Sequence, residues 1–171
     1  MIELTIPGKP APNRTIFGKR KAYKTKTVID YKKKIQLIVR EYCLTNMIEP
    51  IVSPAVLFLN INRGIPKSYS KKRRLGLVGQ PAPVTPDSDN VLKVVKDAIS
   101  ASRWNGDYTL LADDKLVCEE HITKNYALEP SVVIKVGTIE GNSLKCPCSS
   151  EEHLSKLMGK MTDEIFKNEK I

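Results

Sequence analysis

"TPDSDNVLKVVKDAI" (residues 85–99) sets Asp87, Asp89 and Asn90 within four positions behind Pro86 and then turns apolar. Val91, Leu92, Val95, Ala98 and Ile99 recur at helical spacing, which predicts a helix over about 88–102 with one buried side. Asp89, Lys93 and Asp97 are successive i, i+4 positions and share another face. Two explanations compete for the acids. Asp and Ser are ordinary helix-capping residues, and carboxylates at a helix start pair well with its dipole. Alternatively, a D-x-D pair at a loop-to-helix junction aims two carboxylates at one point, as a metal site requires.

Strand-like stretches lie on either side. "IELTI" (2–6) alternates apolar and polar residues, the pattern of a half-buried strand. "NRTIFGKRKAYKTK" (13–26) reads as a basic loop or hairpin turning at Gly18. "TVIDYKKKIQLIVREY" (27–42) places Val28, Tyr31, Ile35, Ile38 and Tyr42 on one helical face. "PAVLFLNIN" (54–62) reads as a buried strand, followed by a Pro-, Gly- and Lys-rich loop of about two dozen residues, a length typical of functional loops. Beyond the acidic helix, "KLVCEEHITKNY" (115–126) and "SVVIKVGTI" (131–139) read as a strand pair joined across Pro130. "SSEEHLSKLMGKMTDEIFKN" (149–168) opens on a capping box, Ser149 to Glu152, and reads as a last helix. The expected fold is α/β: a single domain with a small mixed sheet, in the order β-α-β-α-β-β plus a C-terminal helix.

A chain of 171 residues suits one domain, and 41% hydrophobic with 27% charged residues is globular in composition. Lys and Arg number 28 against 19 acids, a formal charge of +9. Residues 1–42 hold 11 of these cations against three acids, and residues 63–74 hold six against none. Two basic runs flanking an acidic stretch suit a polyanion held around a carboxylate site, with nucleic acid ahead of an anionic membrane. The start lacks a secretory layout and no stretch approaches the roughly 18 apolar residues of a membrane span, so a cytoplasmic location is expected.

A second acidic pair, Asp113-Asp114, stands just before a strand. If it converges with Asp87 and Asp89, the repulsion among carboxylates calls for a divalent ion, and all-oxygen ligands point to Mg²⁺ or Mn²⁺. Taken alone, Asp113-Asp114 is a turn signal, and Lys93 is half of a salt bridge with Asp89. Cys146, Cys148 and His153, with Cys118 or His121, suggest a zinc quartet, but C-x-C is not the usual spacing, and incidental thiols are the better reading. Two histidines supply a nucleophilic triad poorly. Around Gly18-Lys19, Asn13 and Arg20 break the P-loop pattern, and no G-x-G-x-x-G occurs.

"TPDSDNVLKVVKDAI", then "ADDKLV" and "TKNY", resemble the core signature of the RusA-type Holliday junction resolvases. Upstream, "GKPAPNRTIFGKRKAYKTKTVIDYKKKI" is similar to that family's basic N-terminal segment, and "IPKSYSKKRR" also fits. The resemblance covers residues 2 to about 138. It implies a nuclease domain over 1–142, and a dimeric, Mg²⁺-dependent endodeoxyribonuclease of recombination and repair, often phage-borne; the expected helical extension over 143–171 has no counterpart in that family. Its substrate is branched DNA, and no small-molecule cofactor is involved. The family's essential carboxylates fall on Asp87, Asp89 and Asp114 and its motif lysine on Lys93, while Asn90, Asp97 and Asp113 match positions of less certain role. Arg14, Lys19, Arg20, Lys21, Lys71, Lys72, Arg73 and Arg74 are the expected backbone grips. "SASRWNGDYTLLA" (100–112) is longer than the family's usual link, which brings in Asp107 as a competing ligand. Two readings stand against a junction resolvase: a catalytically silent basic DNA-binding protein, and a broader branched- or single-strand nuclease.

Overall fold

The computed structural model describes residues 1–13, 15–17, 22–101 and 108–139. Arg14, Lys19, Arg20, Lys21, Asp107, Cys146, Cys148, His153 and the expected last helix lie outside them. Residues Met1–Thr138 form one compact unit.

The elements follow in the order β1 (Ile2–Pro7), β2 (Thr15–Phe17), β3 (Ala22–Lys24), α1 (Lys26–Asn46), β4 (Ala55–Gly64), α2 (Lys71–Leu77), α3 (Ser88–Ile99), a 3₁₀ turn (Asp114–Leu116), β5 (Val117–Ala127) and β6 (Ser131–Thr138). The expected α/β class with a mixed sheet is what forms. One open choice is decided and one piece is additional. The basic segment folds back as the antiparallel hairpin β2–β3, and the long loop contains α2. No residue of α2 is buried, so "KKRRLGL" carries no apolar period. It starts instead on the Ser70 hydroxyl, which accepts from the Arg73 N–H at 3.4 Å.

The main sheet has the order β1-β6-β4-β5, with β4 antiparallel to β6 and parallel to β5. The expected pairing of 115–126 with 131–139 is therefore not made, because β4 lies between them. The reason is in β4 itself. Ala55, Val56, Leu57, Leu59 and Ile61 are all fully buried, and so apolar a strand is best covered as an interior member with neighbours on both edges. A parallel β4–β5 pair needs a crossover, and the stretch containing α3 provides it. The return from β5 to β6 then steps across the end of β4. There a Cβ on Gly64 would meet the Pro130 ring at 3.3 Å, so the close passage favours glycine. Gly8, at φ +98°, turns the chain after β1 and donates its N–H to the Pro130 carbonyl at 2.8 Å.

Both long helices cover the face of the sheet formed by Leu4, Ile6, Leu57, Leu59, Ile61, Val132, Ile134 and Val136. α1 buries Val28, Tyr31, Ile35, Val39 and Cys43, with Ile38 and Tyr42 packed at the margin. It ends where Met47 enters the left-handed region and Ile48 donates to the Cys43 carbonyl at 3.0 Å. α3 buries Val91, Leu92, Val94, Val95, Ala98 and Ile99. Each buried Val, Leu and Ile contributes about 1.5–3 kcal/mol of gross transfer free energy, which holds α3 to the sheet far more firmly than helix propensity does.

Candidate functional site

The register of β4 with β5 puts Glu120, Ile122, Lys124 and Tyr126 on the helix-covered face, opposite Leu57, Leu59, Ile61 and Arg63. Two of these position α3. Lys96 of the helix meets Glu120 at 2.7 Å, and the Lys124 ammonium donates to the carbonyls of Val84 at 2.8 Å and Pro86 at 3.2 Å. The chain reaches that point along the outer edge of β5. Gly79 N–H donates to Tyr126 O at 2.8 Å, Tyr126 N–H to Gln80 O at 2.8 Å, and Ala82 N–H to Lys124 O at 3.0 Å. α3 thus runs antiparallel to β5, and the loop delivering Asp87 is tied to the strand at both its backbone and a lysine head.

Asp87 is the N-cap residue of α3, with extended backbone at φ −67°, ψ 143°. Its carbonyl accepts from Val91 N–H at 3.3 Å and starts the helix, yet its carboxylate makes no capping bond. Asp89, in the first turn, is exposed, as is Lys93 one turn later. Among the described residues no ion pair joins Lys93 to Asp89 or Asp97. The helix-cap and salt-bridge explanations of these acids therefore both lose their expected contacts. Among the described residues, two exposed carboxylates and one ammonium are left without ion-pair partners near the end where the helix dipole is positive. Asp97 is half-buried and lines a groove of about 500 Å³ between α1 and α3, together with Lys24, Lys32 and Lys33.

The second acidic pair lies elsewhere. Leu110 and Leu111 donate their N–H groups to the Ile99 carbonyl at 2.9 and 3.1 Å, fixing the chain before Asp113 at the last turn of α3. From Asp87 to Ile99 is twelve residues of helical rise, about 18 Å. Asp114 is exposed at that far end and does not join Asp87 and Asp89 within one chain. Asp113 caps the 3₁₀ turn, accepting the Lys115 N–H at 3.0 Å on one oxygen and the Lys115 ammonium at 3.0 Å on the other. These contacts, the backbone N–H first and the ammonium next, hold its carboxyl below the usual aspartate range. Among the described residues no three His, Cys, Asp or Glu side chains are grouped to hold a metal. A cage of three carboxylates from one chain does not fit. Asp87 and Asp89 would suit a divalent ion such as Mg²⁺, which is usually held through only one or two protein carboxylates. Of the zinc candidates described, Cys118 is an exposed free thiol, and His121 stacks on Phe58 at 4.7 Å between ring centres.

The basic elements gather near the start of α3. Asn13 N–H donates to the Asn90 carbonyl at 2.9 Å, and Lys24, at the end of β3, bonds the Asn13 side chain, rooting the hairpin beside the first turn. On α2, Lys71, Lys72 and Arg73 are exposed, with the Arg73 guanidinium 3.9 Å from the Tyr69 ring centre; Arg74 is half-buried. Lys96, Glu120 and Lys124 were not singled out as site residues by local sequence pattern. "TKNY" contains Lys124, but only the strand register reveals what its ammonium holds.

A mixed sheet covered on one face by helices, with unpartnered acids at a helix mouth between basic segments, defines a protein equipped to work on a polyanion. Residues 7–137 match the family model described as Endodeoxyribonuclease RusA, more than three-quarters of the chain, and the protein belongs to that family. It is accordingly an endodeoxyribonuclease of the Holliday junction resolvase kind, from a family that acts on branched DNA. None of the curated proteins matches it. No helix among the described residues is long and apolar enough to cross a membrane.

Proposed function

We propose that this nuclease is Mg²⁺-dependent, with Mn²⁺ as a substitute, and resolves four-way junctions by hydrolysing phosphodiester bonds in opposed strands. In this reading residues 1–142 are the nuclease domain and 143–171 an extension, and the enzyme acts as a cytoplasmic homodimer. One observation carries the reading: Asp87 and Asp89 are exposed at the mouth of α3, beside the root of a basic hairpin, with no ion pair among the described residues and no capping bond from Asp87. A divalent cation bound there supplies neutralisation of the phosphoryl oxygens and makes water a competent nucleophile near neutral pH. Asp87 and Asp89 hold and orient that charge. The free ammonium of Lys93, on the same helical face, meets a phosphate oxygen or orients the attacking water. Lys124 keeps the acid-bearing loop in place against β5. Asp114 enters the site only from a second copy, which a two-fold dimer on a two-fold junction permits. Asp113, committed to Lys115, shapes the turn that presents Asp114.

The test is a synthetic four-way junction incubated with Mg²⁺, with Asp89→Asn beside the unaltered protein and a linear duplex as competitor. The expected result is at least a hundredfold loss of cutting by the variant, with junction binding retained in Ca²⁺. Equal cutting by both proteins rejects the assignment, and equal cutting of duplex and junction replaces it with a broader nuclease.

A further inference from the structure

Four cationic side chains, three from the basic run 63–74 and one from the N-terminal run, surround one cavity of about 330 Å³. Arg63 comes from the end of β4, Arg74 from α2, Lys67 from the turn between them and Lys9 from the segment after β1, with Glu129 and Pro130 closing the rim. The Nε atoms of Arg63 and Arg74 are buried and have no hydrogen-bond partner. None of the four cations makes an ion pair among the described residues, although Glu129 lines the same cavity. Arg63 and Arg74 are half-buried, and burying an Nε–H of each unsatisfied is costly; a structure that retains them without carboxylate partners has room for an external anion. Guanidinium forks match phosphate oxygens two at a time, and the flanking lysines add charge without demanding geometry.

Its position relates it to the acids. The cavity lies at the C-terminal end of β4 and β5, the same end at which Lys124 holds the loop entering α3. Lys9 is four residues from Asn13, whose N–H is bonded to the Asn90 carbonyl. Four residues span at most about 14 Å. Lys9, on the cavity wall, is therefore no more than about 14 Å from the residue rooted on the first turn of α3, close enough for one bound strand to meet both. On the neighbouring α2, exposed Lys71, Lys72 and Arg73 extend the positive surface.

We propose that the cavity formed by Lys9, Arg63, Lys67 and Arg74 is a dedicated socket for one non-reacting backbone phosphate of the DNA, and that it sets the register of the strand over the acids. The proposal rests on the nuclease reading only for which phosphate is cut; the socket itself is a binding claim. Its test is a four-way junction carrying a single uncharged methylphosphonate linkage, moved position by position, with binding measured in Ca²⁺ on the full chain. The unaltered protein is expected to lose about tenfold in affinity at one or two adjacent linkages. Arg63→Gln/Arg74→Gln is expected to bind about ten- to a hundredfold more weakly and to become indifferent to those linkages, in line with a charge-assisted contact. Lys9→Gln/Lys67→Gln alters only exposed residues and so serves if the arginine variant does not fold; it is expected to blunt the same positions. A linkage profile unchanged in a folded variant overturns the socket. Because the scan reads binding, that failure is separate from a failure of Asp87 and Asp89 to support cutting.

Discussion

Asp87 and Asp114 stand at opposite ends of α3. The first is its N-cap, and the second follows the segment bonded to its final turn, with about 18 Å of helix between them. A site needing both must therefore be assembled from two copies. Mixing Asp89→Asn protein with Asp114→Asn protein distinguishes the arrangements. In a mixed dimer with shared sites, one site keeps Asp87 and Asp89 from one copy and Asp114 from the other. Nicking of the junction is then expected to return in the mixture to at least a tenth of normal, although each variant alone is inactive. Silence of the mixture, with dimers shown to exchange, rules the shared site out.

The Lys124 ammonium is a second point of leverage. Lys124→Met keeps the hydrocarbon stem and removes two charge-assisted bonds to the loop before Asp87. The expected loss of stability by urea unfolding is about 1–3 kcal/mol. Single-turnover cutting is expected to fall at least tenfold at a temperature where the protein remains folded, because small displacements of positioned groups are costly. Unchanged cutting in a destabilised protein would show that the loop is not positioned by Lys124.

Asp113 offers a pH signature. Its carboxyl sits below the usual aspartate range because the Lys115 N–H and then the Lys115 ammonium favour the ionised form. The stability it contributes is present above about pH 3.9, the unfolded value, and fades as pH falls through the lower folded value. Carboxyl titration by NMR should show Lys115→Met raising the Asp113 value only partway, since the backbone N–H at 3.0 Å remains. A full return to the ordinary value would assign the whole effect to the ammonium.

Tyr31 is buried in the core, and its hydroxyl has no hydrogen-bond partner among the described residues. Burial pushes its pKa well up. The folded state holds that proton where the unfolded chain releases it, so stability is full below about pH 10 and declines as pH rises beyond it. Tyr31→Phe is expected to gain about 1 kcal/mol, roughly 2–4 °C in Tm, and to lose this part of the alkaline decline. A melt showing the variant less stable at neutral pH would reveal that the hydroxyl is satisfied.

The elements that were legible in the sequence are those whose burial repeats locally. "IELTI" alternates, and the Val91–Ile99 run keeps one side apolar, so β1 and α3 follow from neighbouring residues. α2 escaped because a helix with no buried residue has no period to read. The insertion of β4 between β5 and β6 is a long-range choice, visible only as the extreme apolarity of β4. The acidic pairs are close in sequence, yet the amphipathic helix that identifies one of them is also the rod that separates them. Arg63, Lys67 and Arg74 belong to one basic run, but nothing local signals that they line a single cavity or that Lys9 joins them.

The strap of residues 79–82 along β5 also bears on how copies of the protein tolerate one another. An outer strand with open amides is a template for unwanted growth by neighbouring chains. Over Lys124–Tyr126 that template is already filled from within, by the same residues that lead into the acidic loop. Molecules crowded along one DNA therefore find this end of the border already occupied, and part of the protection against fibril formation comes built into the path that delivers Asp87.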